Sequence, residues 1–476
     1  MSLLLDQAID YSQKASSHPR YRPNRIIPLT GSNVTIGNST SESQIEVVQT
    51  VYNLSKSTLD FNLNVAVPVL VTPLTSGYHN LHTLGANMID SIELRARTGN
   101  PIATITNADI YTRSVLPYVE KYSDYMTYDS ALGSTTEIKA GYFDKGGLLW
   151  ASNDVSTVAP KTALAYSGTR VQGNASDPSD IYLSAGHRAY VEPQYFKQSA
   201  LNTSVNTAFS INLRQLAPHT FMSLNTDAYM GQALILRINW NPKAKLGWQS
   251  SNADGDLDVV PITAVVNVTN LRLTLQVEQN EAIRQSLVQR VMTQGMNFTI
   301  PYVNAYSYTT PKGSSCSHIQ RFNSTHGSKL LNIYTTLANG DATSFTNQDI
   351  ANEGAAVAKK VLSFQPSINS VNTTETRINC ELNDDYQLMK DQLAGCVISN
   401  SNVYAYNRVY NQSFRGGRTC DYLDHDDVVD GKDLDVELNF VMDYTTNSIG
   451  KVYRSFIWAI TQKQMNVAPG GLITVL

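Results

Sequence analysis

Residues 454–476 read "RSFIWAITQKQMNVAPGGLITVL" and combine a strand pattern with a turn pattern. Phe456, Trp458 and Ile460 alternate with short or polar residues, which is the period of two expected for a half-buried strand. The sequence Ala468-Pro469-Gly470-Gly471 predicts a turn after that strand. The segment 472–476 is again mostly apolar. We therefore predict a buried strand, a turn, and a second apolar segment that the protein covers.

The same alternation recurs in three earlier parts of the chain. In residues 57–69, "STLDFNLNVAVPV", Leu59, Phe61 and Leu63 share one face. Residues 89–106 predict a hairpin with its turn at Thr98–Pro101, and residues 232–240 alternate in the same way. Charged residues make up only 16% of the chain, and short uncharged polar residues suit strands and turns better than helices. The sequence predicts an all-β protein with a few short helices.

Composition also argues against several classes of protein. The net charge of −4 gives the whole chain no electrostatic attraction for nucleic acid. No apolar run approaches the ~20 residues that span a bilayer, and "MSLLLDQAIDY" lacks the cationic flank of a secretion signal. Without such a signal, we expect the cysteines to be reduced and the N-x-S/T triplets to be coincidental. The cysteines are Cys316, Cys380, Cys396 and Cys420, and the triplets include those at Asn33, Asn53, Asn202, Asn297 and Asn411.

The pattern divides the chain into an arm and two β-domains. Residues 1–44 form the predicted N-terminal basic arm, in which Pro19 and Pro23 hold Arg20, Arg22 and Arg25 extended. Such an arm could contact phosphate, lipid or an acidic neighbour, or be a solvated tail. The first β-domain is predicted at 45–290 with a long loop insertion at about 127–200, and the second at 291–476.

A helix predicted from Asn280 to Gly295 separates the two domains, with Ile283, Leu287, Val288 and Val291 on one face. After it, residues 360–381 predict a hairpin like that at 89–106, and the order of elements repeats. Two similar domains in tandem explain this repeat. Chance alternation in an all-β sequence is the competing explanation.

No known catalytic motif is present, and no metal site is predicted. The best candidate, a calcium loop, has a valine at one ligand position and is followed by a strand, so a solvated acidic loop is the better interpretation. A weaker acidic loop is likewise interpreted as solvated. A Cys/His group is not predicted to bind zinc, because it lacks a fourth ligand. We predict no catalytic residue, no cofactor and no enzyme activity. The three groups are Asp426, Asp430, Gly431 and Glu437; Asp254, Gly255, Asp256 and Asp258; and Cys316, His318 and His326.

Four segments resemble the double jelly-roll major capsid proteins of the polinton-like virus and virophage lineage. "LSKSTLDFNLNV" (54–65) is similar to the first strand of that family, and "VEQNEAIRQSLVQRVMTQGMNFTIPYVNAY" (277–306) to the passage that joins its two barrels. "INCELNDDYQLMKDQLAG" (378–395) is similar to the second-barrel helix. "FIWAITQKQMNVAPGGLITVL" (456–476) resembles the closing strand and its Gly-rich tail.

The resemblance implies two tandem antiparallel eight-stranded jelly rolls that stand side by side. It implies homotrimeric, pseudo-hexameric capsomers that tile an icosahedral shell, with neighbouring capsomers, penton and minor capsid proteins as partners. Residues 472–476 would lie at a subunit or shell contact, and the basic arm would contact inner lipid, core or genome. The chain would belong to the virion and assemble in the host cytoplasm or nucleus. The alternative is a carbohydrate-binding or adhesive β-sandwich, such as a lectin or fibre head, with an inserted glycosidase third.

Overall fold

The structure is a computed structural model, and its described residues cover most of the predicted strands. They are 19–66, 80–81, 88–109, 111, 205–245, 247–249, 257–259, 265–310, 315–323, 329–339, 360–368, 371–372, 376, 378–379, 418–419, 429–430, 435–443 and 453–475.

The first half of the chain forms two sheets of four main strands. In chain order the strands are β1 (Tyr21–Ile26), β2 (Val34–Ile36), β3 (Ser41–Val47), β4 (Tyr52–Ala66), β5 (Asn80–Leu81), β6 (Ile89–Ala96), β7 (Pro101–Thr106), β8 (Val205–Asn212), β9 (Leu234–Trp240), β10 (Gly247–Gln249), β11 (Leu257–Val259) and β12 (Val265–Glu278). One sheet has the order β1-β12-β4-β8, with β2 also on β12, and the other has the order β3-β9-β6-β7. Strands β11-β10-β5 form a small separate sheet.

The second half repeats this arrangement. Its strands are β13 (Met296–Thr310), β14 (Ser315–Asn323), β15 (Lys329–Asn339), β16 (Lys360–Ile368), β17 (Val371–Asn372), β18 (Ile378–Asn379), β19 (Arg418–Thr419), β20 (Val429–Asp430), β21 (Asp435–Asp443), β22 (Tyr453–Val467) and β23 (Ile473–Val475). One sheet has the order β13-β22-β15-β19, with β20 on β15 and β23 on β22. The other has the order β14-β21-β16-β17, with β18 on β16.

Both halves have the same topology when the main strands are numbered along the chain. Taking β19 and β20 as one broken strand, and β17 and β18 as another, each half has eight strands in the orders 1-8-3-6 and 2-7-4-5. This double Greek-key arrangement is a jelly roll. Each pairing between the described strands is antiparallel, as in β4 with β12 and β13 with β22. The predicted fold, two tandem eight-stranded jelly rolls, is confirmed.

The predicted strand faces are confirmed in the first jelly roll. Leu59, Phe61 and Leu63 are at most 1% exposed. The Phe61 ring lies 5.3 Å from the ring of Trp240 on β9, which belongs to the opposite sheet. The two sheets therefore enclose one apolar core, as the alternation requires.

Two α-helices are described, α1 (Leu213–Leu216) and α2 (Glu281–Gln294), together with the 3₁₀ turns Phe221–Ser223 and Lys243–Lys245. Helix α2 lies between the last strand of the first jelly roll and the first strand of the second. Asn280 caps it through its side chain, and Gly295 ends it at φ 75°, as predicted. Val291 is its buried residue, whereas Leu287 and Val288 are partly buried, so the expected apolar face packs only at its C-terminal end. None of the described helices has the length and apolar character needed to cross a bilayer.

The expected arm boundary at residue 44 is wrong. Strands β1, β2 and β3 all precede it, and β1 pairs with β12 from Tyr21 opposite Glu278 to Ile26 opposite Leu273. The first jelly roll therefore includes Tyr21–Val47. An arginine-rich strand with a proline has no alternation to reveal it, because an edge strand with exposed side chains does not need an apolar face.

The hairpins are confirmed, with β6 and β7 paired across the turn at 97–100 and β16 paired with β17. The insertion at 127–200 lies outside the described residues, and so does 380–395, most of the segment that resembles the second-barrel helix. After the first hairpin, residues 108, 109 and 111 are helical.

Candidate assembly surfaces

The two jelly rolls meet through aromatic side chains. Trp458 on β22 is 1% exposed, and its ring is 5.3 Å from that of Tyr111 in the first jelly roll. Phe298 on β13 packs edge-on against Phe221, with ring centroids 5.7 Å apart. Burial of Trp458 and pairing of β22 on both edges were predicted and are confirmed. Its contact with Tyr111 was not predicted, since it joins the two domains.

A polar group borders the same contact. The side chain of Tyr302 on β13 forms a hydrogen bond with that of Thr104 in the first jelly roll and lies near Glu93. Burial raises the pKa of the Tyr302 hydroxyl, the bond to Thr104 opposes this, and the charge of Glu93 adds to it. The Lys463 ammonium lies 4.3 Å from the centre of the Tyr302 ring, a cation–π distance. Burial lowers the pKa of Lys463, so its charge is partly desolvated at the contact.

The Gly-rich turn after β22 touches the first jelly roll backbone to backbone. A Cβ on Gly471, at φ 88°, would lie 2.6 Å from the carbonyl oxygen of Gly231, and a Cβ on Gly231 would lie 2.6 Å from the Cα of Gly471. No side chain fits such an approach, and both residues also have positive φ angles. Sequence reasoning found the turn at Gly471 and missed its partner, because an isolated glycine in a loop carries no sign of what approaches it.

Hydrogen bonds extend this contact along the segment 468–475, which we call the clasp. Gln232 Nε2 donates to the Gly471 carbonyl at 2.6 Å, and Asn100 Nδ2 donates to the Ile473 carbonyl at 3.0 Å. Gln49 Nε2 donates to the Gly231 carbonyl at 2.7 Å, which supports the other side. Two side chains of the first jelly roll thus bind the clasp, and a third fixes the turn at Gly231 that the clasp approaches.

The clasp corrects the interpretation of residues 472–476 as a contact with other subunits. Strand β23 pairs with β22, and Ile473 is 0% exposed within the same apolar cluster as the first jelly roll core. Leu472 is 53% exposed. The described part of this segment is therefore largely an intramolecular contact, because antiparallel pairing places only alternate residues toward the protein.

Glu278, at the end of β12, holds the start of the described chain. Its side chain is fully buried, and Oε1 accepts from the backbone N–H groups of Arg20 at 2.8 Å and Asn280 at 2.7 Å. One carboxylate therefore joins the residue before β1 to the first turn of α2. The chain leading into β1 is tied to the scaffold rather than projecting from it.

Beyond Glu278, β1 forms an exposed edge. The described strands pair with it on one side only, through β12. Arg22 and Arg25 are exposed, and Ile27 and Leu29 after the strand are 65% and 64% exposed. We call Arg22, Pro23, Arg25, Ile27 and Leu29 the β1 edge surface.

Arg25 also borders a depression of ≈ 520 Å³ on the outer face of the sheet. Asp60 lies in this depression, where its carboxylate accepts several hydrogen bonds. Its Oδ1 accepts from Ser210 Oγ at 2.6 Å and its Oδ2 from Arg272 Nε at 3.4 Å, with Thr58 and Thr274 also donating. The carboxylate of Asp60 is thus satisfied within the sheet, and Arg25 forms no ion pair with a described residue.

The metal candidates are only partly described. The structure places Asp430 on β20 and Glu437 on β21, which belong to different sheets. Cys316 and His318 lie on β14, and Asp258 on β11. The other candidate residues, namely Asp426, Gly431, Asp254, Gly255, Asp256 and His326, lie outside the described residues, as do Cys380, Cys396 and Cys420. Within the described part of the chain, no cluster of three or more possible ligands occurs.

The environment of Asn53 shows whether its N-x-S/T triplet could carry a glycan. It is 1% exposed, and its Nδ2 donates to Asn225 Oδ1 at 3.1 Å and Asp227 Oδ1 at 3.2 Å. A glycan on this amide would disrupt the fold, so the triplet at Asn53 is coincidental.

Comparison with known proteins identifies relatives of the fold. No protein-family model and no curated protein matches the sequence. A chain in the cryo-EM structure of the Sputnik virophage aligns over 97% of this chain and 88% of its own length, with 11% identity and a TM-score of 0.51. The mavirus major capsid protein aligns over 98% and 94%, with 10% identity and a TM-score of 0.47. The Faustovirus major capsid protein aligns over 98% and 96%, with 9% identity and a TM-score of 0.43. At such identities the likeness to the Sputnik chain is one of fold, and it extends over nearly the whole chain.

Proposed function

We propose that this chain is a major capsid protein of an icosahedral virus of the polinton-like virus and virophage lineage. The observation that carries the proposal is the whole-chain likeness in fold to a chain of the Sputnik virophage particle. That likeness agrees with the resemblance of four separate segments in the sequence.

The capsomer is a homotrimer. Two jelly rolls of the same topology, joined by a clasp and a shared apolar cluster, form a rigid double block. Three such blocks in a closed ring give six similar units, a pseudo-hexamer that can tile a shell with head-to-tail contacts. Its partners are neighbouring capsomers together with penton and minor capsid proteins.

The chain acts in the virion as a structural protein without enzymatic activity. Residues 1–18 and the β1 edge surface belong to the inner side of the shell, with Arg20, Arg22 and Arg25 near acidic neighbours, inner lipid, core or genome. The insertion at 127–200 covers the top of the first jelly roll and contacts the next subunit. Assembly takes place in the host cytoplasm or nucleus.

Among the side chains that the structure describes, none favours the alternative, a lectin or fibre head. Sugar sites commonly use an exposed aromatic platform, and Trp240 and Trp458 are both buried. The depression at Asp60 is lined by hydroxyl, amide and guanidinium groups, and Phe61 and Phe209 beneath it are at most 3% exposed.

Purified full-length protein tests the proposal. Sedimentation velocity should show a trimer, and electron microscopy of concentrated samples should show hexagonal capsomers or closed shells. Glycan-array binding is the control for the alternative. A monomer that binds glycans and forms no particles would overturn the proposal.

A further inference from the structure

The β1 edge surface combines two kinds of exposed groups that its position alone does not explain. Charged residues and proline on an edge strand prevent unspecific strand pairing, and Pro23 also removes one N–H donor. Exposed aliphatic side chains have the opposite effect on solubility. Yet Ile27 and Leu29 have the highest exposed fractions of the large apolar side chains in the described ranges, 65% and 64%. A surface with both features suits a specific partner.

The geometry of β1 defines what that partner must carry. Arg22 lies opposite Val277 and Arg25 opposite Thr274, so the two guanidinium groups lie on opposite faces of the strand. Neither arginine forms an ion pair with a described residue, whereas Arg272 nearby is paired with Asp60. A partner segment along this edge therefore meets a cation on each side and apolar groups at one end. Carboxylates interspersed with aliphatic side chains complement it.

One segment of this same chain has that composition. Asp421–Asp430, "DYLDHDDVVD", contains five acidic residues and no lysine or arginine, and its apolar residues include Leu423 and Val428. Part of it is described: β20 pairs with β15 on the side of β15 away from β22. Strand β20 thus lies at an edge of the second jelly roll, as β1 does in the first.

We propose that the β1 edge surface of one copy binds the acidic segment Asp421–Asp430 of a second copy. The inference rests on the proposed trimer. In a closed ring of three two-domain chains, first and second jelly rolls alternate, so each contact between copies joins a first domain to a second domain. A basic edge on one and an acidic segment on the other fix the direction of the ring, because the reverse pairing would bring like charges together.

Charge reversal in full-length protein tests this contact. Arg22→Glu with Arg25→Glu should weaken the trimer by roughly tenfold or more in sedimentation velocity, since like charges would then face each other. Adding Asp424→Lys and Asp427→Lys to the same chain should restore most of the loss. The control is Arg97→Glu with Arg290→Glu, which changes the net charge by the same amount at two exposed sites elsewhere. This control should leave the trimer intact. All variants should retain the parent's unfolding midpoint, because the reversed arginines are exposed.

A cysteine pair separates contacts between copies from contacts within one. Arg25→Cys with Asp427→Cys should give disulfide-linked dimers and trimers on a non-reducing gel. A monomeric band with an internal disulfide would overturn the proposal, as would an Arg22/Arg25 reversal that behaves like its control while the parent trimerises. If that reversal abolishes binding to phosphatidylserine vesicles and leaves the trimer unchanged, the surface binds membrane instead. A parent that forms neither trimers nor shells would contradict the proposed function itself.

Discussion

Trp458 shows how one side chain can serve two domains. It is 1% exposed on β22 and meets Tyr111 across the domain contact. Trp458→Ala should lower the free energy of unfolding by ~3–5 kcal/mol, the usual cost of removing a buried aromatic side chain. Trp458→Phe should cost much less, because a ring remains and the indole N–H has no hydrogen-bond partner among the described atoms. Urea unfolding of both variants measures this. Equal losses would show that the ring itself is unimportant.

Adjacent glycines allow a matched test of the clasp. Gly470 and Gly471 have φ angles of 92° and 88°, but a Cβ on Gly470 meets nothing within 4 Å, whereas one on Gly471 meets Gly231. Both alanine variants carry similar backbone strain. Gly471→Ala should lose a further ~1–3 kcal/mol, the range for overpacking, and small-angle scattering should show a larger radius of gyration. Identical unfolding curves for the two variants would mean that the close approach is dispensable.

At the scale of the element, the ladder between β3 and β9 carries a pH-dependent ion pair. Arg237 donates to Glu42, which lowers the pKa of Glu42 below its ordinary value of 4.5. The stability from this pair is therefore fully present above pH 4.5 and is lost as the pH falls through the lowered pKa. Both side chains are about one-third exposed, at 36% and 32%, so Glu42→Gln should cost under ~1 kcal/mol at pH 7.

The control for this ion pair lies on the same strand. Glu46 is 3.9 Å from Arg97, whose side chain is 73% exposed, so Glu46→Gln should change little. The difference between parent and Glu42→Gln in urea unfolding should shrink from pH 7 to pH 3. A difference that stays constant over this range would exclude ionisation of Glu42 as its cause.

Strand β23 is the second element whose role can be isolated. Ile473→Ala should lower the unfolding free energy by ~2–5 kcal/mol, because Ile473 is 0% exposed. Leu472→Ala, next to it and 53% exposed, should be nearly neutral in thermal unfolding. The opposite ranking would restore the earlier interpretation, in which residues 472–476 serve only contacts with other subunits.

At the scale of the whole molecule, the two jelly rolls share one apolar cluster. Its members include Phe221 of the first half and Phe298, Trp458 and Ile473 of the second. Residues 1–294 expressed alone should therefore expose the clasp and aromatic contacts, bind the dye ANS, and melt below the full chain. A fragment that stays monomeric, binds no dye and melts like the parent would show that the first jelly roll is independent.

The strands and their buried faces could be predicted because that information is local. In Leu59–Leu63 and Phe456–Ile460, every second residue is apolar, and a strand needs nothing else to define its inner face. The cap and end of helix α2 were predictable for the same reason, since Asn280 and Gly295 act on the backbone beside them. The jelly-roll topology itself was inferred from resemblance, because strand order is not local.

Only the tertiary structure decided which distant parts of the chain meet. Strand β1 exists because β12 pairs with it, and its arginines and proline give no sign of that partner. Gly231 and Gly471 approach each other across the domain boundary, and Trp458 meets Tyr111 there. Side-chain periodicity records which face of an element is buried, whereas such contacts depend on how whole elements are placed. The alternating pattern therefore determined two β-sandwiches, and packing between them determined the clasp and the exposed β1 edge.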